Sequence, residues 1–129
     1  LSQNKQAGAR KKPERVEGTL SCELPKTLVK KNDIHITSKR NFDCFQDTEL
    51  DMLLKRTLDV KNIIICGVNT DTCVYGTTFG ASNRGYNPIV IECCTGSMRG
   101  EDQHKMALKI ISQSIAWVMK KEEILNKLN

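Results

Sequence analysis

Apolar residues fall along this chain in short blocks separated by polar and glycine-containing breaks. Ile63 to Cys66 is a continuous apolar run, entered through Lys61-Asn62 and left at Gly67. That pattern predicts a short strand buried on both faces, as in a parallel sheet. A turn over Gly67 to Thr70 follows. Asp71 and Thr72 then suit the start of a helix from about Thr72 to Arg84. Arg84-Gly85-Tyr86-Asn87-Pro88 reads as its stop, with glycine just past the end and proline beyond. Ile89-Val90-Ile91 predicts the next buried strand, with Glu92-Cys93-Cys94-Thr95-Gly96-Ser97 as a loop at its carboxyl edge.

Upstream, Asp33-Ile34-His35-Ile36-Thr37-Ser38 alternates as a short strand. Leu50, Leu53, Leu54 and Leu58 share one helical face, with Asp47 or Thr48 as cap and Thr48-x-x-Asp51 similar to a capping box. Downstream, Glu101 and Asp102 suit a first helical turn, and Met106, Ala107, Ile110, Ile111 and Ile115 mark the expected buried face. Ile115 to Met119 predicts a last short strand, and Lys121 to Leu128 a terminal helix. Strands alternating with helices define an α/β class with a parallel sheet.

Composition narrows this picture. The 129 residues suit one domain. A charged fraction of 27% and a mean hydropathy of −0.41 describe a soluble chain. No apolar run approaches the roughly 20 residues of a membrane span, and no signal-peptide core opens the sequence. The net charge of +5 gathers early, with Lys5, Arg10, Lys11, Lys12 and Arg15 against Glu14. Without interleaved aromatics or a periodic face, this cluster reads as a solvated tail rather than a nucleic-acid arm. Residues 1–21 are therefore expected to be a basic polar segment, looped or disordered.

The six cysteines include no Cys-x-x-Cys pair, and no histidine stands at zinc-finger spacing from them. Cys66 and Cys93 fall in or beside expected buried strands, which suits free thiols in a reducing, cytoplasmic setting. No metal and no cofactor are expected.

Two residues carry candidate chemistry. Cys73 falls in the first turn of a helix, just beyond the carboxyl end of a central strand. Unpaired N–H groups and the helix dipole favour a thiolate there, and the crevice at strand carboxyl ends is where open α/β sheets bind ligands. Lys39 follows the Asp33–Ser38 strand and so should share that edge, where its ammonium would stabilise the thiolate.

The wording of these segments resembles one family. Gly67-Val68-Asn69-Thr70-Asp71-Thr72-Cys73-Val74, with Thr77-Thr78 following, resembles the nucleophile motif of the isochorismatase-like cysteine hydrolases. These include nicotinamidases, N-carbamoylsarcosine amidohydrolases, biuret hydrolases and ureidoacrylate amidohydrolases. Lys39-Arg40-Asn41-Phe42-Asp43-Cys44-Phe45, with Thr48-Glu49-Leu50 next, is similar to the segment carrying the catalytic lysine. Val16-Glu17-Gly18-Thr19, with Glu23 after it, resembles the segment upstream of that lysine.

The resemblance implies a three-layer α/β/α fold, with residues 22–129 as the C-terminal part of the domain and the first two strands absent. It implies Cys73 as nucleophile and Lys39 in thiolate stabilisation and proton transfer. The backbone N–H groups of Asn69 and Cys73 would form an oxyanion hole, with a cis peptide at Val68–Asn69. Phe42, Phe45, Thr72 and Thr95 would wall the substrate pocket. The family's aspartate base ends the first strand, and no segment before Val16 matches it. Asp43, Asp71 and His104 are weak substitutes on the geometric demands of a base.

The activity so implied is hydrolysis of a C–N bond in a small amide, ureido or carbamoyl compound through a thioester. Nicotinamidases bind a metal through an aspartate and two histidines, the last of which falls at Glu14 here, so a ureido or carbamoyl substrate is favoured over nicotinamide. The alternative is a truncated, non-catalytic member acting as a binding or oligomerisation module. Expected partners are a small-molecule substrate and further copies of the chain, since exposed sheet edges invite association. Nucleic acid and membrane are not expected.

Overall fold

The computed structural model describes residues 18–128, and the chain divides into two units after His35. Most of the basic 1–21 segment lies outside the described residues. In the first unit, residues 18–35 hold a 3₁₀ turn at Leu20–Cys22 and two reverse turns. One of these is closed reciprocally: the Lys30 N–H donates to Asp33 Oδ2 at 2.8 Å, and the Asp33 N–H donates to the Lys30 carbonyl at 3.1 Å.

The second unit carries the α/β architecture. Helix α1 (Leu50–Met52) continues as a π-helical turn over Leu53–Thr57. Strand β1 (Asn62–Val68) leads through a second π-helical turn, Thr70–Val74, into α2 (Tyr75–Asn83). Strand β2 (Asn87–Gly96), α3 (Glu101–Ser114), β3 (Trp117–Met119) and α4 (Lys121–Leu128) complete it. The sheet is parallel throughout, in the order β1-β2-β3, with α2 and α3 as crossovers.

Two apolar clusters hold these layers together. Ile65, Val74, Val90, Leu108 and Ile111 join the sheet to α3 and the second π turn. Phe45, Ala81 and Tyr86 form the other, with Leu50 and Leu54 of the α1 segment packed against it. Ile63 touches both clusters. The end of α2 is built as expected: Gly85 takes φ +82°, its N–H donates to the Ser82 carbonyl at 3.0 Å, and the Tyr86 N–H donates to the Ala81 carbonyl at 3.2 Å. This is the paired bonding of a Schellman stop.

Several expectations are corrected. No strand forms over Asp33–Ser38, because a strand exists only through a neighbour and none pairs with it among the described residues. Loop contacts hold this stretch instead: Arg40 donates to the carbonyls of Thr37 (2.7 Å) and Lys39 (3.2 Å), and the Ser38 hydroxyl donates to Glu49. Strand β1 is buried on one face only, so Ile64, Cys66 and Val68 are exposed. Cys93 is exposed too. Strand β2 runs on through Glu92–Gly96, which were expected to be loop, because β1 keeps pairing with it as far as Val68↔Gly96.

The buried face of α3 is rotated. His104, Ala107, Leu108 and Ile111 point inward, while Met106 (57%) and Ile110 (42%) are exposed. Asp51 completes no capping box. It accepts from Tyr86 and pairs with Lys55 one turn along, while Thr48 Oγ1 accepts the Leu50 N–H at 3.3 Å.

Candidate active site

The polypeptide leaves β1 at Val68, and the Val68–Asn69 peptide is cis. The next residues wind wider than an α-helix. The Asn69 carbonyl accepts from Val74 N–H at 3.1 Å, and the Thr70 carbonyl accepts from Tyr75 N–H, each spanning five residues. Cys73 rides on this π turn, half-buried, at the carboxyl end of β1. The small polar run Asn69-Thr70-Asp71-Thr72 lacks apolar anchors of its own, and its side chains fix the turn instead.

Each of those side chains has an assigned partner except Thr72, which is half-buried. The Thr70 hydroxyl, fully buried, lies 2.8 Å from His104 Nδ1 in the first half of α3. Asn69 Oδ1 accepts the Met98 N–H at 2.9 Å. The Asp71 carboxylate accepts from Ser97 Oγ at 2.7 Å and from Arg99 at 2.5 Å. Burial alone would raise Asp71, but the bonds from Ser97 and Arg99 outweigh it and hold the carboxyl below its usual range. The turn bearing Cys73 is thus latched to the loop that follows β2. One turn later the buried Thr78 hydroxyl donates to the Val74 carbonyl at 2.7 Å.

The Lys39 segment meets the same helix. The Cys44 N–H donates to Thr77 Oγ1 at 3.2 Å, and Thr77 Oγ1 reaches the Phe42 carbonyl at 3.4 Å. Gly76 lets this backbone approach, since a Cβ there would already sit 3.4 Å from Phe42 and Asp43. Lys39 itself is half-buried. Its charge acts on Cys44, whose thiol is pushed up by burial against the opposing pulls of Thr77 and Lys39.

The four residues expected to wall a pocket differ in exposure. Phe42 is exposed, and Thr72 and Thr95 stand half-buried at the carboxyl edge of the sheet. Phe45 is corrected to a core residue: it is 4% exposed, stacked on Tyr86 at 5.5 Å and capped by the Arg84 guanidinium at 5.0 Å. Asp43, Asp71 and His104 are engaged by Arg84, Arg99 and Thr70 respectively. Among the described residues no cluster of three or more His, Cys, Asp or Glu is arranged to hold a metal ion. Glu14 lies outside them.

The latch residues Ser97, Met98 and Arg99 carried no motif that sequence reading could have used. Gly76 and Gly80, four apart on one helical face, were the available sign of a close approach, by the Phe42–Asp43 backbone at Gly76 and by the Asp43 carboxylate at Gly80.

A parallel sheet, a strand-to-helix turn bearing Cys73, and the Phe42–Cys44 backbone docked on the following helix make up the candidate site. The isochorismatase domain profile matches residues 2–123, and the chain belongs to the isochorismatase-like hydrolase family. An isochorismatase family protein of Escherichia coli O157:H7, YecD, is 34% identical over 97 residues, covering 75% of this chain and 50% of that protein. Among solved structures, an isochorismatase-like hydrolase from Alkaliphilus metalliredigens superposes with a TM-score of 0.82 at 27% identity, covering 89% of this chain and 63% of that one. The nicotinamidase of Staphylococcus aureus superposes with a TM-score of 0.60 at 35% identity, covering 64% and 50%. The chain spans about half the length of the curated relatives it matches. No helix among the described residues is long and apolar enough to cross a membrane.

Proposed function

We propose that this chain carries the nucleophile half of a cysteine hydrolase acting on a C–N bond in a small amide, ureido or carbamoyl compound. The observation that carries the reading is the half-buried Cys73 on a π turn at the carboxyl end of β1, fixed by Thr70–His104 and by Asp71–Arg99. π-Helical turns inside helices recur at functional sites. Cys73 Sγ attacks the carbonyl carbon, the amine or ammonia leaves, and water hydrolyses the thioester. Lys39 stabilises the thiolate. The N–H groups of Asn69 and Cys73 donate to the developing oxyanion. The carboxylate base comes from outside the described residues, because Asp43 and Asp71 are each tied to an arginine. The lack of a Cys-x-x-Cys pair favours a reducing, cytoplasmic setting, and a homo-oligomer would pair the β1 edge that the order β1-β2-β3 leaves open among the described residues.

That engagement of every described candidate base favours a second reading, a non-catalytic binding or oligomerisation module. Competitive alkylation at neutral pH separates the two. The hydrolase reading expects Cys73 to react well ahead of the other five cysteines, and ammonia release from ureido or carbamoyl compounds to vanish in Cys73→Ser. Uniform slow alkylation with no release supports the module. Release from nicotinamide alone moves the substrate class to the nicotinamidases.

A further inference from the structure

Strands β1 and β2 pair in register at Ile65↔Val90 and again at Gly67↔Thr95. Between those points four residues of β2, Ile91 to Cys94, oppose the single Cys66 of β1. This bulge gathers three of the six cysteines. Cys66 immediately precedes Gly67, and Cys94 immediately precedes Thr95, so each stands one residue before the point where the ladder resumes. Burial, and then the neighbouring Cys94 and Cys93, push the Cys66 thiol up. Cys93 Sγ lies 3.9 Å from Cys94 Sγ. All three are exposed.

Neighbouring strands run about 4.8 Å apart. A disulfide accepts Cα separations of about 4.4–6.8 Å. Cys66 and Cys94, each one residue before the paired Gly67↔Thr95, therefore stand at a position where that spacing is within reach. Cys93 and Cys94 do not compete on equal terms, because adjacent cysteines must distort the peptide between them to reach disulfide geometry.

We propose that Cys66 and Cys94 form an oxidisable dithiol, a modification site for hydroperoxides that closes to a disulfide across the β1–β2 ladder. In the first step one thiol gives two electrons to hydrogen peroxide; the O–O bond breaks, and a sulfenic acid and one water form. In the second, the other thiol attacks that sulfur. The S–S bond forms, the S–O bond breaks, and the hydroxyl leaves with the attacking thiol's proton as a second water. The new bond lies beside Gly67↔Thr95 and Val68↔Gly96, next to Asn69 and the Ser97–Arg99 latch. The site is separate from Cys73 and does not depend on hydrolysis.

The test is treatment of the full chain with hydrogen peroxide, alkylation of the remaining thiols and non-reducing peptide mapping. Trypsin cuts at Arg84 and so separates Cys66 from Cys94, while a second digestion with an Asp-specific endoprotease, cutting before Asp71, separates Cys66 from Cys73. Cys66 and Cys94 should both be lost as free thiols, with one cross-linked peptide joining them that dithiothreitol releases. The Cys93→Ser variant should keep that cross-link. The Cys66→Ser variant should instead let Cys94 proceed to sulfinic acid. A Cys93–Cys94 bridge, a bridge between chains, or oxidation of Cys73 with Cys66 and Cys94 still free would each overturn the proposal.

Discussion

The Asp43 carboxylate stands over Gly80, and Arg84 holds it there. Arg84 Nη1 lies 3.2 Å from Asp43 Oδ2 and 2.9 Å from the Gly80 carbonyl oxygen. Asp43 Oδ1 also accepts the Phe45 N–H at 2.8 Å. A Cβ at position 80 would sit 2.6 Å from Asp43 Cγ. In an ordinary helix, Gly→Ala gains about 1 kcal/mol. Here Gly80→Ala should instead cost about 1–3 kcal/mol, as overpacking does. Urea denaturation reads the sign directly. In Asp43→Ala/Gly80→Ala the clash is gone, so the two changes should be strongly non-additive. A stabilised Gly80→Ala protein would mean that the Phe42–Phe45 loop gives way without cost.

Tyr86 is the hub between that loop and α1. Its ring stacks on Phe45, and its hydroxyl donates to Asp51 Oδ1 at 2.8 Å. Burial, reinforced by the Asp51 carboxylate, pushes the phenol from the ordinary 10 up to about 12. A raised folded value means stability that is complete below pH 10 and lost as pH rises toward 12. Only two tyrosines are present, so in Tyr75→Phe the phenolate absorbance reports Tyr86 alone. It should titrate near 12 and coincide with alkaline unfolding. Titration at 10 in the folded protein would break the Asp51 assignment. Tyr86→Phe should cost about 1 kcal/mol at neutral pH and flatten the alkaline limb.

The sequence reveals much of the fold where local signals suffice. β1, α2 with its Gly85 stop, β3 and α4 follow from apolar runs, the glycine and helical spacing. What fails is what depends on neighbours. The Asp33–Ser38 alternation is a strand pattern, yet a strand needs a ladder, and none reaches it among the described residues. On α3 either of two adjacent stripes could face inward, and the one that does sets His104 on Thr70 and Leu108 and Ile111 in the core. Phe45 sits in a motif that suggests a pocket, but Tyr86 and Arg84 enclose it. The cis peptide at Val68–Asn69 is legible from the motif. The Ser97–Arg99 latch is not, because a loop's hydrogen bonds leave no period in the sequence.

That latch should show itself in acid. Asp71 is held below the usual carboxylate range by Ser97 and Arg99 against the effect of burial, and Asp51 by Tyr86 and Lys55. A lowered folded value means stability that is present above the ordinary 3.8 and lost as pH falls through the lowered one. Acid unfolding of the parent chain should therefore steepen below about pH 4. Asp71→Asn should be less stable at neutral pH and show a shallower acid limb. An unchanged limb would mean that Asp71 contributes nothing through its charge. The Asp71–Arg99 coupling in a double-mutant cycle should be about 1 kcal/mol and fall with added salt, since Arg99 is half exposed.

The bond between Thr70 and His104 makes the sharpest demand, because both groups are buried and Thr70 opens the turn that bears Cys73. Thr70→Val keeps the shape but removes the hydroxyl, leaving His104 Nδ1 without that partner inside the fold. Such a loss costs about 1–3 kcal/mol. Thr70→Ser keeps the hydroxyl and gives up only a methyl, about 1 kcal/mol. The stability difference between the two variants therefore isolates the hydrogen bond. If it also positions Cys73, native-state alkylation of that cysteine should change in Thr70→Val and stay near parental in Thr70→Ser. Equal stability and equal alkylation in both variants would reduce the contact to simple packing. A stability loss without an alkylation change would make it a brace of α3 rather than of the nucleophile turn.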